Sequence, residues 1–122
     1  MQELANEEAR KIIEIIEGLN FPIKTRLAGV TFGSRQHYIK EYCRQAQKYF
    51  LVREPDNEFD PNAIRVLVSK YKADIGYIPA KKAELLAPLM DAGIELKVGF
   101  CLKLIDEKNI NKPVGIVVKI WM

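Results

Sequence analysis

At 122 residues, with 29% charged side chains and a net charge of +3, the chain is long enough for one domain with its own core, and its basic excess is too small to declare a polyanion partner. Its two cysteines, Cys43 and Cys101, and its one histidine, His37, stand in no metal-ligand or Cys–His spacing, so no metal or cofactor is expected and the cysteines read as buried small hydrophobes of a reducing compartment. No apolar run reaches the roughly 18 residues of a membrane span, and the acidic start, with Glu3, Glu7 and Glu8, is the opposite of a signal peptide, so a cytoplasmic protein without membrane contact is expected.

Residues 3–17 predict an amphipathic helix, with Ala5, Ala9, Ile12, Ile16 and Leu19 on one stripe widened by Ile13 and Ile15, and Gly18 placed to cap its end. Docking on the body of the domain, giving a monomer, is preferred over a dimerisation helix. Residues 1–22, closing with the break Asn20-Phe21-Pro22, form one unit and residues 23–122 the other. Lys24 to Phe32 alternates as a first strand, with Gly29 free to bend it. Ser34 is placed to cap a helix from Arg35 to about Gln47, with Ile39, Tyr42, Cys43 and Ala46 inward and Arg35, Lys40, Arg44 and Lys48 outward. A second strand runs over Lys48–Val52 and a third from Ala63 to about Ser69. After a turn over Tyr71–Asp74 comes the short strand Ile75–Ile78. Pro79 opens a helix with Leu85, Leu86, Leu89 and Met90 inward and Gly93 at its end; Pro88 should kink or divide it. Glu95–Ile105 and Val114–Trp121 read as two long strands joined by the polar turn Asp106–Lys112. Six strands, few helices and no βαβ rhythm predict a mainly β fold with α additions, a small barrel.

Between the second and third strands lies Arg53-Glu54-Pro55-Asp56-Asn57-Glu58-Phe59-Asp60-Pro61-Asn62-Ala63-Ile64. Pro55 and Pro61 fix φ, while Asp56, Asn57, Asp60 and Asn62 can bond neighbouring N–H groups, so the loop can be rigid without glycine. Phe59 at its tip either tucks into the core or stands out as a stacking platform. Asp56, Glu58 and Asp60 match the first, third and fifth positions of a calcium loop, but Pro61 replaces the required glycine and Leu67 the bidentate glutamate, which excludes an EF-hand.

The segment Leu51 to Val66, followed by Ile75-Gly76-Tyr77-Ile78-Pro79 and Ala83-Glu84-Leu85-Leu86-Ala87-Pro88-Leu89, resembles a HIRAN domain, a module of DNA-repair translocases and of small stand-alone bacterial proteins. The resemblance spans roughly residues 24–120 and implies an OB-like six-stranded barrel with two short helices, the N-terminal helix being extra. It also implies binding of a single-stranded DNA 3′ end, in which two aromatic side chains sandwich the terminal base and an aspartate reads the free hydroxyl. Carried over, the aromatics match Phe32 and Phe59, the acceptor matches Asp60, and Asn57 the neighbouring polar contact. The chain departs from the animal pattern at five positions. Both aromatics are phenylalanine instead of tyrosine, Thr31 stands where an arginine would meet phosphate, Tyr77 replaces a histidine as a pocket wall, and Lys81 or Lys82 replaces the basic residue after the Gly-x-Ile-Pro block.

No G-x-S-x-G elbow, Walker loop or H-E-x-x-H is present, so a binding module is expected over an enzyme; a metal-dependent nuclease using the loop carboxylates is the weak alternative. Residues 1–22 carry 2 basic and 5 acidic side chains (−3), and residues 23–122 carry 17 and 11 (+6), so the body is the basic part. A rival expectation is a protein-interaction module that docks a DNA-processing partner through the barrel and the N-terminal helix.

Overall fold

The computed structural model describes residues 6–122 and contains three helices and six strands: α1 Asn6–Gly18, β1 Ile23–Arg26, α2 Arg35–Tyr42, β2 Tyr49–Arg53, β3 Ile64–Val68, β4 Ala73–Tyr77, α3 Ala80–Asp91, β5 Lys97–Leu104 and β6 Gly115–Trp121. The expected helix residues before Asn6 lie outside the described residues. The strands form two antiparallel three-stranded sheets, ordered β1-β6-β5 and β2-β3-β4. Of the expected mainly β fold with a small OB-like barrel, the mainly β part is what the hydrogen bonds among the described residues give, as two sheets and no closed ring of strands. The sheets meet instead at an isolated bridge, where Ala28 N–H donates to Tyr77 O at 2.8 Å and Tyr77 N–H donates to Ala28 O at 3.0 Å.

The bridge explains why the first strand is shorter than its alternation predicts. Gly29 turns the chain at φ 69° and Gly33 at φ 58°, Phe32 N–H closes back on Gly29 O, and the pleated pattern ends although the residue types continue it. Phe32 thus sits in a turn and not at a strand end. The inward side chains Leu27, Ile39, Ile64, Val66, Val68, Ile75, Leu86, Leu89, Ile116, Val118 and Ile120 form one buried core between the sheets, α2 and α3. Ile12, Ile15, Ile16 and Leu19 of the N-terminal segment pack against it, as an amphipathic helix in search of apolar cover should.

Several local expectations are corrected. α2 ends at Tyr42 because Cys43 is extended and the next turn is claimed by Tyr49, whose hydroxyl accepts from Arg44 N–H and donates to Arg44 O. Ala46 is therefore exposed. Ser34 makes no side-chain cap; its carbonyl accepts from Tyr38 N–H. Gly18 belongs to α1 and does not turn left-handed after it. α3 runs through Pro88 as one helix, started by the Pro79 carbonyl, and Leu85 faces outward. Cys43 is fully buried, and burial pushes its thiol up to about 11, whereas Cys101 is only half-buried.

Candidate nucleic-acid interface

The bridge at Tyr77, the turn at Phe32 and the proline-pinned loop border one open cleft of about 560 Å³. Of the residues expected at the site, Phe32, Asn57, Phe59, Asp60 and Tyr77 line it. Thr31 and Lys81 do not; both are exposed beside it. Phe59 is 89% and Phe32 74% exposed, so neither ring is spent on the core. Isolated exposed aromatics are ordinary, but two on one cleft call for a partner surface.

Asn57 builds the loop. Its Oδ1 accepts from the N–H groups of Phe59 (2.9 Å) and Asp60 (3.0 Å), and its Nδ2 donates to Glu54 Oε1. Asp60 Oδ1 accepts from Asn62 N–H at 2.8 Å, leaving Oδ2 without a protein donor among the described residues. These side chain to backbone bonds do the work glycine would do elsewhere. They hold Phe59 outward without any packing of its ring.

Two arginines that sequence reasoning did not place here complete the wall. Arg35, expected on the outer face of α2, is buried: Nη1 donates to Gly29 O at 2.8 Å and Nη2 pairs with Asp74 Oδ2 at 3.0 Å. Its guanidinium lies 5.3 Å from the Phe32 ring centroid and 5.2 Å from that of Tyr77, so it is stacked between two rings. Its Nε has no hydrogen-bond partner. Arg65 on β3 pairs with Glu54 Oε2 at 2.7 Å and donates to the Tyr77 hydroxyl, which donates on to Glu54 Oε1 at 2.7 Å. Burial alone would raise the Glu54 carboxyl, but the bonds from Tyr77, Asn57 and Arg65 outweigh it and hold it below the ordinary carboxylate range. Burial and the bond to Glu54 push the Tyr77 hydroxyl up. The only sequence signal for Arg35 was its position after the Gly33-Ser34 turn, which cannot tell a wall residue from a solvated helix face.

Both cleft arginines are thus neutralised from behind, by Asp74 and Glu54, while Glu58 and Asp60 sit on the rim. Among the described residues, the cleft offers aromatic faces and the carboxylates of Glu58 and Asp60, and no unpaired cation. Among the described residues no three His, Cys, Asp or Glu side chains converge to hold a metal ion, and no helix is long and apolar enough to cross a membrane.

The HIRAN domain family model matches residues 23–120, and the chain belongs to that family. A Fanconi-associated nuclease 1 homolog of Oryza sativa subsp. japonica is 46% identical over 64 residues, which is 51% of this chain and 6% of that protein. The chain therefore spans a small fraction of the curated relative it matches. Two solved structures share the fold. The crystal structure of the HIRAN domain of human HLTF has a TM-score of 0.55 at 18% identity, covering 80% of this chain and 71% of that one. A protein from Lactobacillus plantarum gives 0.56 at 20% identity, covering 81% and 92%.

Proposed function

We propose that the domain is a DNA-binding module that takes the free 3′-hydroxyl end of a single strand into the cleft, and that it serves DNA repair or processing. The observation that carries this reading is the pair Phe32 and Phe59, both exposed on one cleft that Asp60 also lines. Unpaired bases stack on such rings, each contact contributing about 1–3 kcal/mol. An ionised carboxylate is an acceptor-only group, suited to a hydroxyl proton and repelling a phosphate in the same place. Because Arg35 and Arg65 are already paired, the cleft suits an uncharged nucleoside end. HIRAN membership and the partial match to a nuclease homolog support a place in DNA processing, and the nuclease activity itself is not carried over by a match to 6% of that protein. Residues 1–22 act as an appended element on the 23–122 body.

A titration with short single strands ending in 3′-hydroxyl, ending in 3′-phosphate, or circularised tests the reading. Tightest binding to the 3′-hydroxyl strand supports it; equal binding of the first two removes it. The protein-docking alternative draws on Ile13 and Leu85, which are exposed along α1 and α3. It requires a contact that barely responds to salt, whereas single-strand affinity falls by about 0.7 log units per phosphate neutralised for each log unit of salt.

A further inference from the structure

The outward face of the β1-β6-β5 sheet carries a second feature that the cleft does not use. Lys24 and Lys119 are direct partners across β1 and β6, and Gly99 of β5 is the next residue in the same row. One step along, Trp121 pairs with Lys97; two residues before Lys119, Val117 pairs with Arg26. Lys24, Arg26, Lys97 and Lys119 are all exposed, and none is in an ion pair among the described residues. No carboxylate side chain occurs anywhere in the three strands.

Like charges directly opposite one another in a sheet destabilise it, and a row of cations with no acid in its own strands, the nearest along the chain being Glu95 just before β5, is the footprint of a polyanion. The glycine supplies the other half of the argument. A Cβ at Gly99 would come within 3.2 Å of Trp121 Cη2 and Cζ3, so the indole lies across the glycine and is held flat on the sheet. The Lys119 ammonium is 5.6 Å from the indole ring centroid. From Trp121 a groove of about 400 Å³ continues between β5 and β2 past Phe100, Phe50 and Lys48. The Lys72 ammonium stands 5.6 Å from the Phe50 ring centroid. Its lining, like the sheet face, holds lysines and aromatics and no acidic residue.

We infer that this sheet face is a second nucleic-acid site, which holds the backbone of a single strand on Lys24, Lys119 and Lys97 and stacks an unpaired base on Trp121. A duplex buries the faces of its bases and could use only the cations, whereas the flat indole adds affinity only for unpaired bases. The inference takes its ligand class from the single-strand reading above, but it shares no residue with the cleft and needs no strand end.

The test uses a circularised oligothymidylate, which has no end, titrated against the full chain over a range of salt. The wild type should bind it with a salt slope that falls by about 1.4 in Lys24→Gln/Lys119→Gln, at about 0.7 per lost phosphate contact. Trp121→Leu should weaken it on the order of tenfold and Trp121→Phe far less. Asp60→Asn and Phe59→Ala should leave it unchanged. The lysine variant alters only exposed side chains, so it remains informative if Trp121→Leu misfolds. An unchanged slope in the lysine variant overturns the site, as does equal binding of a duplex of the same length. Failure of the wild type to bind the circle while it binds a 3′-hydroxyl strand overturns the sheet face and leaves the cleft standing. Binding of the circle without discrimination between 3′-hydroxyl and 3′-phosphate ends does the reverse.

Discussion

The guanidinium of Arg35 lies 5.3 Å from the ring centroid of Phe32, and that buried cation is what an otherwise exposed phenylalanine rests on. Arg35→Met removes the stack, the bond to Gly29 O and the pair with Asp74. Losing one partner of a buried pair costs about 3–5 kcal/mol, and since Asp74 keeps Arg65 at 3.5 Å the loss on urea unfolding should be about 2–3 kcal/mol. Arg35→Lys should recover part of that stability through Asp74 but not the single-strand affinity, because an ammonium has no planar face to carry the ring. Recovery of both would reduce Arg35 to a structural charge.

Phe59→Ala should leave the melting temperature close to wild type, since a side chain 89% exposed contributes little packing. Affinity for a short strand ending in 3′-hydroxyl should fall on the order of tenfold. A large drop in melting temperature, or undiminished binding, would show that the ring is not a stacking platform.

Asp60→Asn keeps an oxygen for the Asn62 N–H while removing the charge. Binding of 3′-hydroxyl strands should weaken and binding of 3′-phosphate strands should not, because the carboxylate's attraction for the hydroxyl and its repulsion of phosphate disappear together. Equal losses with both ends would leave Asp60 as a turn residue.

Gly76 has φ 137°, and a Cβ there would stand 2.6 Å from the carbonyl oxygen of Ala28, a backbone atom that cannot step aside without opening the bridge between the sheets. Gly76→Ala should destabilise by more than about 2 kcal/mol. It should also displace Tyr77, so the bond from its hydroxyl to Glu54 is expected to weaken in parallel.

The Glu54 carboxyl is held below its ordinary value of 4.5. A depressed folded-state value means stability that is present above the unfolded value and lost as pH falls through the folded one. Glu54→Gln should therefore flatten the acid side of the stability profile below about pH 4.5. For Tyr77 the sign is opposite: its value is raised above 10.0, so its contribution persists below that pH and is lost as pH rises through the folded value. Tyr77→Phe should flatten the alkaline limb and, because it also removes the hydroxyl bond that helps depress Glu54, part of the acid limb, measured by urea unfolding across the range.

What the sequence determined by itself was local. Alternation marked the six strands, helical periodicity marked the three helices, and the proline and Asx residues between Arg53 and Ile64 marked a rigid loop, because each depends on neighbours within a few positions. The loop motif and the Gly-x-Ile-Pro block also carried the family. Tertiary structure decided everything that joins distant segments. Two three-stranded sheets and a closed barrel share the same strand pattern, and only the pairing of the strands, β1-β6-β5 and β2-β3-β4 with the single bridge from Ala28 to Tyr77 between them, tells the two apart. Arg35 read as a solvated helix residue until Asp74, 39 positions away, and the rings of Phe32 and Tyr77 closed around it. The row of Lys24, Lys119 and Trp121 is invisible along the chain, since strand register, which places residues nearly a hundred positions apart side by side, is set by the packing of the whole core.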